Sequence, residues 1–302
     1  MNSQATQMFE GERARLISLA YRMMGEWAAA EDVVQDAWLR WSKADHGGIQ
    51  SPAAWLTTVT TRLAIDALTS ARARREIYVG PWLPEADLEP WDGMESGSDH
   101  PGADIEQKQQ VNLALMWAME RLAPEERAAF LLRDIFETDY ADVAATLDRS
   151  EAACRQMVSR AKKRLEEDAP RFQAEPTAVS NLLERFMTAT ASLDKAEVLA
   201  LLSPDVVAIS DGGGKVSAAL RPLEGADEVA QVWISVASRK PIAAKPKWVL
   251  ANGQPALAIL EGGEDDVVLS VIPGADGRIA WIYAMRNPEK LSSQRPATKW
   301  SD

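Results

Sequence analysis

Residues 140–166, YADVAATLDRSEAACRQMVSRAKKRLE, contain two helical patterns separated by three turn-forming residues. The apolar spacing predicts one short helix over Tyr140–Leu147 and a second over Glu151–Glu166. Between them lies Asp148-Arg149-Ser150, whose serine is a suitable N-cap for the second helix. Two short helices joined by a tight turn are typical of a helix-turn-helix unit.

The second helix of this unit has one apolar and one polar face. The predicted buried stripe is Cys154, Val158, Ala161 and Leu165, which recur at helical spacing. The outward side chains with DNA-binding chemistry are Arg155, Gln156, Ser159, Arg160 and Lys163. Arginine and lysine bind phosphates, and arginine and glutamine also bind base edges in the major groove. A solvated amphipathic hairpin is the alternative interpretation, because a basic helix face also suits plain exposure to water.

The first 75 residues carry helical patterns of their own. Apolar spacing over 9–41 is interrupted at Gly25, which predicts two helices. After a glycine loop, Ser51-Pro52 predicts the start of a long helix, since serine caps and proline fits the first turn. We expect this helix to bury Leu56, Val59 and Leu63 and to end in a basic run at Arg75.

Charge is distributed unevenly along the chain. The formal net charge is −12, and residues 76–106 supply −9 of it, with 9 acidic and no basic residues. Their prolines and glycines indicate a linker. Within it, Tyr78–Pro84 reads YVGPWLP, and a solvated linker has no use for such apolar side chains. We therefore expect this segment to lie in an apolar groove.

The chain beyond Pro170 changes from a helical to a mixed pattern. Two helices come first, and the second opens with the capping pattern Asp194-x-x-Glu197. One more helix is predicted at about 226–237, among strand-like runs. The predicted strands are Val206–Ser210, Lys247–Ala251, Ala256–Leu260, Val267–Ile272 and Ile279–Met285. This order predicts an α+β domain.

Composition excludes several classes of site. A single cysteine, Cys154, excludes an internal disulfide and a cysteine-based zinc site. Both histidines, His46 and His100, lie in the first third, so the second half has no histidine base. We expect no catalytic residue and no cofactor. We also expect no metal site, since Asp265 and Asp266 alternate across a strand and have no third ligand nearby. The absence of a signal-peptide pattern and of a span-length apolar run favours a cytoplasmic protein without membrane contact.

The order of these features resembles the sigma-70 family in its minimal, extracytoplasmic-function form. An acidic helix (Glu31–Trp41), a glycine loop, a long helix ending in arginines, an acidic linker and a helix-turn-helix follow one another over about residues 9–168. Two further motifs are DGGGK at 211–215 and NPEKL at 287–291, the latter close to the NPDKL of one group in this family. Together with YVGPWLP, they resemble that group, which carries a fused C-terminal SnoaL-like domain.

The resemblance implies a multidomain fold: two all-α sigma domains, the second with the helix-turn-helix, and an α+β SnoaL-like cone domain. We assign residues 1–75 to sigma region 2, 76–106 to the acidic linker, 107–168 to sigma region 4, and 176–291 to the SnoaL-like domain.

The resemblance also implies two partners, core RNA polymerase and promoter DNA. The residues implied to dock on the clamp of the largest polymerase subunit are Asp32, Gln35, Asp36 and Leu39. Those implied to hold DNA phosphates near the minus-ten element are Arg62, Arg72, Arg74 and Arg75. The helix-turn-helix would read the minus-thirty-five element. An acidic face with apolar anchors suits a basic helical partner.

In the resembled group, the fused domain regulates the factor, so no separate anti-sigma factor is expected. Glycines permit a close approach of backbone, and we expect the DGGGK motif to contact the linker. The residues assigned to this regulation are Trp82, Leu83, Pro84, Asp211, Gly212, Gly213, Gly214, Lys215, Asn287, Pro288, Lys290 and Leu291. The alternative is that the glycines form a plain strand turn beside a solvated Lys215.

Two other functions compete with the sigma-factor interpretation. A helix-turn-helix transcriptional regulator with a ligand-sensing C-terminal domain would not need the docking helix Glu31–Trp41. An enzyme of the SnoaL type would need acid–base groups in its pocket, and the second half of the chain lacks histidine.

Overall fold

The computed structural model describes residues 3–75, 77–91, 112–168, 175–239, 245–260 and 266–292. The chain divides into two compact units. The helical unit comprises Met1–Ile77 with Leu115–Ala169, and the sheet unit comprises Tyr78–Ala114 with Pro170–Asp302. Since the boundary falls at Tyr78, the first part of the acidic linker belongs to the sheet unit.

Three helices form the first half of the helical unit: α1 (Ser3–Met24), α2 (Trp27–Lys43) and α3 (Pro52–Arg75), with a 3-10 turn at His46–Gly48. Gly25, whose φ is 73°, separates α1 from α2 as predicted. The Ser51 hydroxyl accepts a hydrogen bond from the Ala54 amide at 3.3 Å, so it caps α3 as predicted.

The orientation of α2 is fixed by its apolar face. Its buried residues are Ala30, Val33, Val34, Ala37 and Trp41. The Trp41 indole nitrogen donates a hydrogen bond to the Ala5 carbonyl at 2.8 Å, which satisfies the one polar atom of that buried ring. The opposite face of α2 is therefore left to solvent.

Four helices form the second half of the helical unit: α4 (Leu113–Met119), α5 (Pro124–Phe130), α6 (Tyr140–Leu147) and α7 (Glu151–Asp168). A π turn at Leu131–Ile135 continues α5. The predicted helix-turn-helix is present in α6 and α7, and Asp148 between them has a φ of 53°. The Ser150 hydroxyl caps α7 by accepting a hydrogen bond from the Ala153 amide at 3.2 Å.

A buried arginine joins the two halves of the helical unit. Arg127 on α5 is 1% exposed. Its guanidinium donates to the carbonyl of Met23 at 2.6 Å and to that of Met119 at 3.0 Å. A third bond reaches the Glu120 carboxylate at 2.7 Å. Because Met23 lies at the end of α1, this fully bonded charge ties α1 to α5.

The sheet unit packs α8 (Pro176–Ala191), α9 (Lys195–Leu201) and α10 (Ala226–Arg239) against a sheet, with α11 (Pro288–Ser292) after its last strand. The strands are β1 (Leu88–Pro90), β2 (Leu202–Asp211), β3 (Leu223–Glu224), β4 (Lys247–Ala251), β5 (Gln254–Ile259), β6 (Val267–Pro273) and β7 (Ile279–Met285). Their order within the described residues is β1-β4-β5-β6-β7-β2-β3, with β2 parallel to β7 and the other pairs antiparallel. The predicted α+β domain is confirmed.

The linker contributes a strand that the sequence did not predict. Residues 88–90 form β1, which pairs antiparallel with β4 so that Leu88 lies opposite Ala251. The neighbouring Asn252 pins the strand, since its amide donates to the Asp87 carbonyl at 2.8 Å and its side chain accepts from the Asp87 amide at 3.1 Å. Residues 78–91 are thus structurally part of the C-terminal fold. Strand β1 also supplies hydrogen-bond partners for the backbone N–H and C=O groups at the edge of β4.

Replacing Arg127 with alanine removes the donor of the Met23 carbonyl and the Glu120 carboxylate. We expect the free energy of unfolding of the helical unit to fall by about 3 kcal/mol, because buried polar groups lose their partner. Urea denaturation followed by circular dichroism measures this. Arg149→Ala is the control, since Arg149 pairs with Glu125 at the surface and its loss costs less than about 1 kcal/mol. Equal stability of the two variants would contradict the role of Arg127.

Candidate functional site

The outward face of α2 carries the four residues assigned to polymerase docking. Asp32, Gln35, Asp36 and Leu39 are all exposed. Leu39 keeps 46% of its surface in solvent. The face therefore combines two carboxylates with an apolar anchor, as a docking surface for a basic helix requires.

The outward face of α7 carries the residues assigned to DNA reading. Arg155, Gln156, Ser159, Arg160 and Lys163 are all exposed. The opposite stripe, Cys154, Val158, Ala161 and Leu165, is buried, each residue being 6% exposed or less. The predicted division of this helix into two faces is thus present in the structure.

A notch of about 380 Å³ opens between the start of α6 and the outward face of α7. It is lined by Tyr140, Arg155, Val158, Ser159, Lys162 and Lys163. The guanidinium carbon of Arg155 lies 4.8 Å from the centre of the Tyr140 ring, and that of Arg133 lies 4.9 Å from it. Tyr140 thus holds a cation against its ring on the rim of a basic surface.

The Arg62 side chain, which was expected to hold a DNA phosphate, is bonded to another helix of the protein. Its guanidinium donates to the Thr146 carbonyl at 2.8 Å and to the Ala145 carbonyl at 3.0 Å, both on α6. The Thr58 and Thr146 hydroxyls bond at 3.1 Å beside it. Arg62 therefore joins α3 to α6 in this structure. The side chains of Arg72, Arg74 and Arg75, at the end of α3, lie outside the described residues.

The end of β2 carries a buried carboxylate, Asp211, which is 0% exposed. Its Oδ1 accepts hydrogen bonds from the Tyr78 hydroxyl at 2.6 Å and the Gly213 amide at 3.0 Å. Its Oδ2 accepts from the Leu83 amide at 2.9 Å and the Lys290 ammonium at 2.7 Å. Four donors satisfy the carboxylate, and two of them come from the linker.

The ammonium of Lys290 is the counter-charge of Asp211. Lys290 is 5% exposed, and it also donates to the Leu83 carbonyl. Its Nζ lies 4.0 Å from the centre of the Trp82 ring, a cation–π distance. One lysine therefore binds the linker through both its backbone and an aromatic side chain.

Asn287 completes this cluster, because its Nδ2 donates to the Tyr78 hydroxyl at 2.7 Å while its Oδ1 accepts from the Glu289 amide at 3.0 Å. We call the five residues Tyr78, Leu83, Asp211, Asn287 and Lys290 the linker knot. Leu83 itself is 0% exposed. The YVGPWLP segment thus lies against the sheet unit, and its contacts there are with the polar side chains of Asp211, Asn287 and Lys290 rather than with the apolar groove expected from the sequence.

The glycine triplet is required by the knot. Gly213 and Gly214 have φ values of 62° and 70°, which side chains rarely adopt. A Cβ on Gly213 would lie 2.5 Å from the Asn287 side chain, and one on Gly214 would lie 2.9 Å from the Val79 side chain. A Cβ on Gly212 would lie 2.5 Å from the Val216 carbonyl. Any larger residue would displace the linker or the turn.

The other residues of the DGGGK, NPEKL and YVGPWLP motifs lie outside the linker knot. Lys215 points to Glu289 in a half-exposed ion pair rather than to the linker. Pro288 starts α11 and Leu291 is 2% exposed, so both serve to hold that helix in place. Pro84 is buried beside Leu83. The DGGGK contact with the linker is therefore made by Asp211 and Gly214, while the Lys215 side chain pairs with Glu289.

Two residues of the knot region were not singled out from the sequence. The YVGPWLP motif gives Tyr78 no role by itself, although a buried aspartate needs donors and a tyrosine hydroxyl is one. Asn252, which pins β1, sits before Gly253 at the β4–β5 hairpin with φ values of 50° and 74°. An Asn-Gly pair indicates a hairpin, but nothing in it indicates the strand that the asparagine holds.

Cys154 has no feature of a reactive site. It is 0% exposed, and burial raises the pKa of its thiol, although the nearby Arg149 opposes the shift. A protonated, buried thiol is a poor nucleophile and a poor metal ligand. Within the described residues, no group of three or more acidic, histidine or cysteine side chains could hold a metal ion. No helix among them is long and apolar enough to cross a membrane.

Comparison with known proteins agrees with this geometry. The family model Sigma-70 region 2 matches residues 8–74, and Sigma-70, region 4 matches residues 112–165. These matches contain the α2 face and the α7 face, respectively. These matches, together with 36% identity over 94% of the chain to an extracytoplasmic-function (ECF) sigma factor, show that the chain belongs to the ECF branch of the sigma-70 family.

Two relatives of this chain cover nearly all of it. It is 36% identical to the ECF RNA polymerase sigma factor SigJ of Mycobacterium tuberculosis, covering 94% of this chain and 92% of that protein. It is 32% identical to the probable ECF sigma factor SigI of the same species, covering 95% and 94%. The crystal structure of SigJ superposes with a TM-score of 0.75 at 34% identity, covering 95% of this chain and 98% of that one.

These findings confirm the predicted fold and class. The chain is an alternative sigma factor, a protein of promoter recognition and transcription initiation, with two helical sigma domains and a SnoaL-like α+β domain. This membership indicates a transcription factor rather than an enzyme.

Replacing Lys290 with alanine leaves Asp211 buried without its counter-charge. We expect the free energy of unfolding of the sheet unit to fall by about 3 kcal/mol, which urea denaturation measures. Lys215→Ala is the matched control from the same pair of motifs. Because the Lys215–Glu289 pair is half exposed, its loss should cost less than about 1 kcal/mol. A larger loss in Lys215→Ala would show that the knot has been assigned to the wrong lysine.

Proposed function

We propose that this sigma factor docks on core RNA polymerase through the α2 face, reads promoter DNA with α3 and α7, and is controlled by its sheet unit. The observation that supports docking most directly is the exposed Asp32, Asp36 and Leu39 on one side of α2. This face lies within the segment that the region 2 model matches.

The chemistry of the α2 face favours a basic, helical partner, which fits the clamp of the largest polymerase subunit. Exposed carboxylates steer a positively charged surface into contact and speed association. Leu39 supplies an apolar anchor that the partner can bury. The face thus provides both the charge and the apolar contact of a helix-to-helix interface.

Neutralising the docking face tests this proposal. We expect the Asp32→Asn and Asp36→Asn double variant to bind core polymerase roughly tenfold more weakly at low salt, with the difference shrinking as salt rises. Fluorescence anisotropy of the labelled full-length chain measures it. Asp66→Asn, an exposed acid on α3, is the control. Unchanged affinity of the double variant would exclude this face as the docking surface.

Promoter DNA would be held by the α7 face and by the arginines of α3. Arg155, Gln156, Ser159 and Arg160 have the donors that base edges and phosphates accept. Arg62 can hold a phosphate only after leaving the Ala145 and Thr146 carbonyls. Phosphate binding by Arg62 therefore requires its guanidinium to leave α6, which docking on polymerase would promote.

Control by the sheet unit would act through the linker knot. Residues 78–91 connect the two sigma regions along the chain, and the knot and β1 hold them in the sheet unit. A segment bound in this way cannot follow a path of its own between the two regions. The fused domain would then replace a separate anti-sigma factor, and the cytoplasm, where core polymerase resides, would be the site of action.

Run-off transcription with core polymerase tests this control, with the chain's own upstream region as template. We expect Lys290→Ala to change the yield of specific transcript several-fold, since the linker would be freed, and the direction gives the sign of control. Lys215→Ala should match the unaltered chain, because Lys215 does not touch the linker. Equal yields from all three proteins would exclude control through the knot, and no transcript from any of them would contradict the proposed function itself.

A further inference from the structure

Glu126 on α5 is a buried acid that faces the DNA-reading helix. Its side chain keeps 9% of its surface in solvent. Its Oε1 accepts a hydrogen bond from Arg160 Nε at 3.0 Å, and its Oε2 accepts from Arg164 at 2.9 Å. One carboxylate thus holds two arginines that lie one turn apart on α7.

The way in which Arg160 is held leaves its base-reading atoms available. The bond to Glu126 uses Nε, and the terminal nitrogens have no hydrogen-bond partner among the described residues. A guanine in the major groove presents O6 and N7, which accept two parallel bonds from such a guanidinium. Arg160 is 54% exposed, so its outer edge faces solvent while its inner edge is fixed.

The other arginine on this face is held differently. Arg155 pairs with Glu151 on its own helix at 2.6 Å, with both side chains about half exposed, and its guanidinium lies 4.8 Å from the centre of the Tyr140 ring. Exposed pairs of this kind contribute little to orientation or stability. A pair with a buried acid on another helix restricts the long side chain far more, and a side chain ordered in advance loses less entropy on binding.

We propose that Glu126 is a positioning residue for promoter reading, because it holds the Arg160 guanidinium in the orientation that bonds a guanine of the promoter. This inference rests on the proposed DNA-reading role of α7 and names a determinant of its specificity. Glu126 touches no DNA itself and acts through Arg160.

If Glu126 only stabilised the start of α5, its loss would lower affinity equally for every DNA fragment. Its Oε2 also accepts from the Ala123 amide at 3.4 Å, at the start of α5. Glu126→Gln keeps an acceptor for that amide and removes the negative charge that fixes the arginines. Glu125→Gln is the matched control, since Glu125 is the neighbouring acid and pairs with Arg149 outside the α7 face.

The test uses holoenzyme assembled from core polymerase and the full-length chain. Relative affinities are measured for duplex fragments of the chain's own upstream region, with each base pair of the upstream promoter element replaced in turn. We expect Arg160→Lys to lose roughly tenfold discrimination at one G·C pair, the typical worth of a bidentate contact. Glu126→Gln should lose most of the discrimination at that same pair, and the double variant should lose no more than Arg160→Lys alone. Glu125→Gln should keep it.

Two results would overturn the proposal: discrimination unchanged in Glu126→Gln, or affinity lowered equally for every fragment. A holoenzyme without base preference in the unaltered chain would instead contradict DNA reading by α7.

If Glu126→Gln fails to fold, nitrogen-15 NMR spectra of the unaltered protein test the proposal instead. A held Arg160 gives an Nε–H signal protected from exchange, identified by its absence in Arg160→Lys, and a freely exchanging signal contradicts the proposal.

Discussion

The buried carboxylate of Asp211 binds the linker to the rest of the sheet unit. A carboxylate with 0% exposure is stable only if donors replace water. Its donors come from the linker, from its own glycine turn and from Lys290, so residues that lie 79 to 133 positions from Asp211 in sequence form one site with it. The positive φ values of the glycine turn and the burial of Leu83 follow from that requirement. Strand β1 then continues the same linker along the edge of β4.

The helical unit depends on the same kind of interaction. Arg127 is buried against two carbonyls and a carboxylate, and Arg62 bonds two carbonyls at the end of α6. Both are cations that bond backbone oxygen, and both connect the first half of the unit to the second. The consequence is that α2 and α7 present their polar faces to solvent, whereas part of α3 is occupied by protein. The side chains assigned to docking on α2 and to DNA on α7 are therefore exposed in this structure, whereas the Arg62 guanidinium is bonded to the end of α6.

Periodicity predicted the helix-turn-helix, both faces of α7 and most strands correctly, because each pattern is local. The α3 prediction was partly wrong: Val59 and Leu63 are only half buried, and the buried face instead contains Thr60 and Ala64. A threonine in the core does not register in an apolar count. Strand β1 was missed because its three residues include Pro90 and gain their partners only from β4. The knot could be anticipated as a contact but not in detail, since nothing in the sequence distinguishes a buried Lys290 from an exposed Lys215.

Amide hydrogen exchange of the full-length chain, read for the peptide that covers residues 78–91, tests most directly whether the linker is part of the C-terminal fold. We expect the Leu83 amide, which is bound to Asp211 at 2.9 Å, to exchange as slowly as the amides of β2 and β7. We also expect Lys290→Ala to accelerate exchange of the Leu83 amide more than that of the β7 amides. Exchange of Leu83 at the rate of a solvated amide in the unaltered chain would contradict the account, since the linker would then be free.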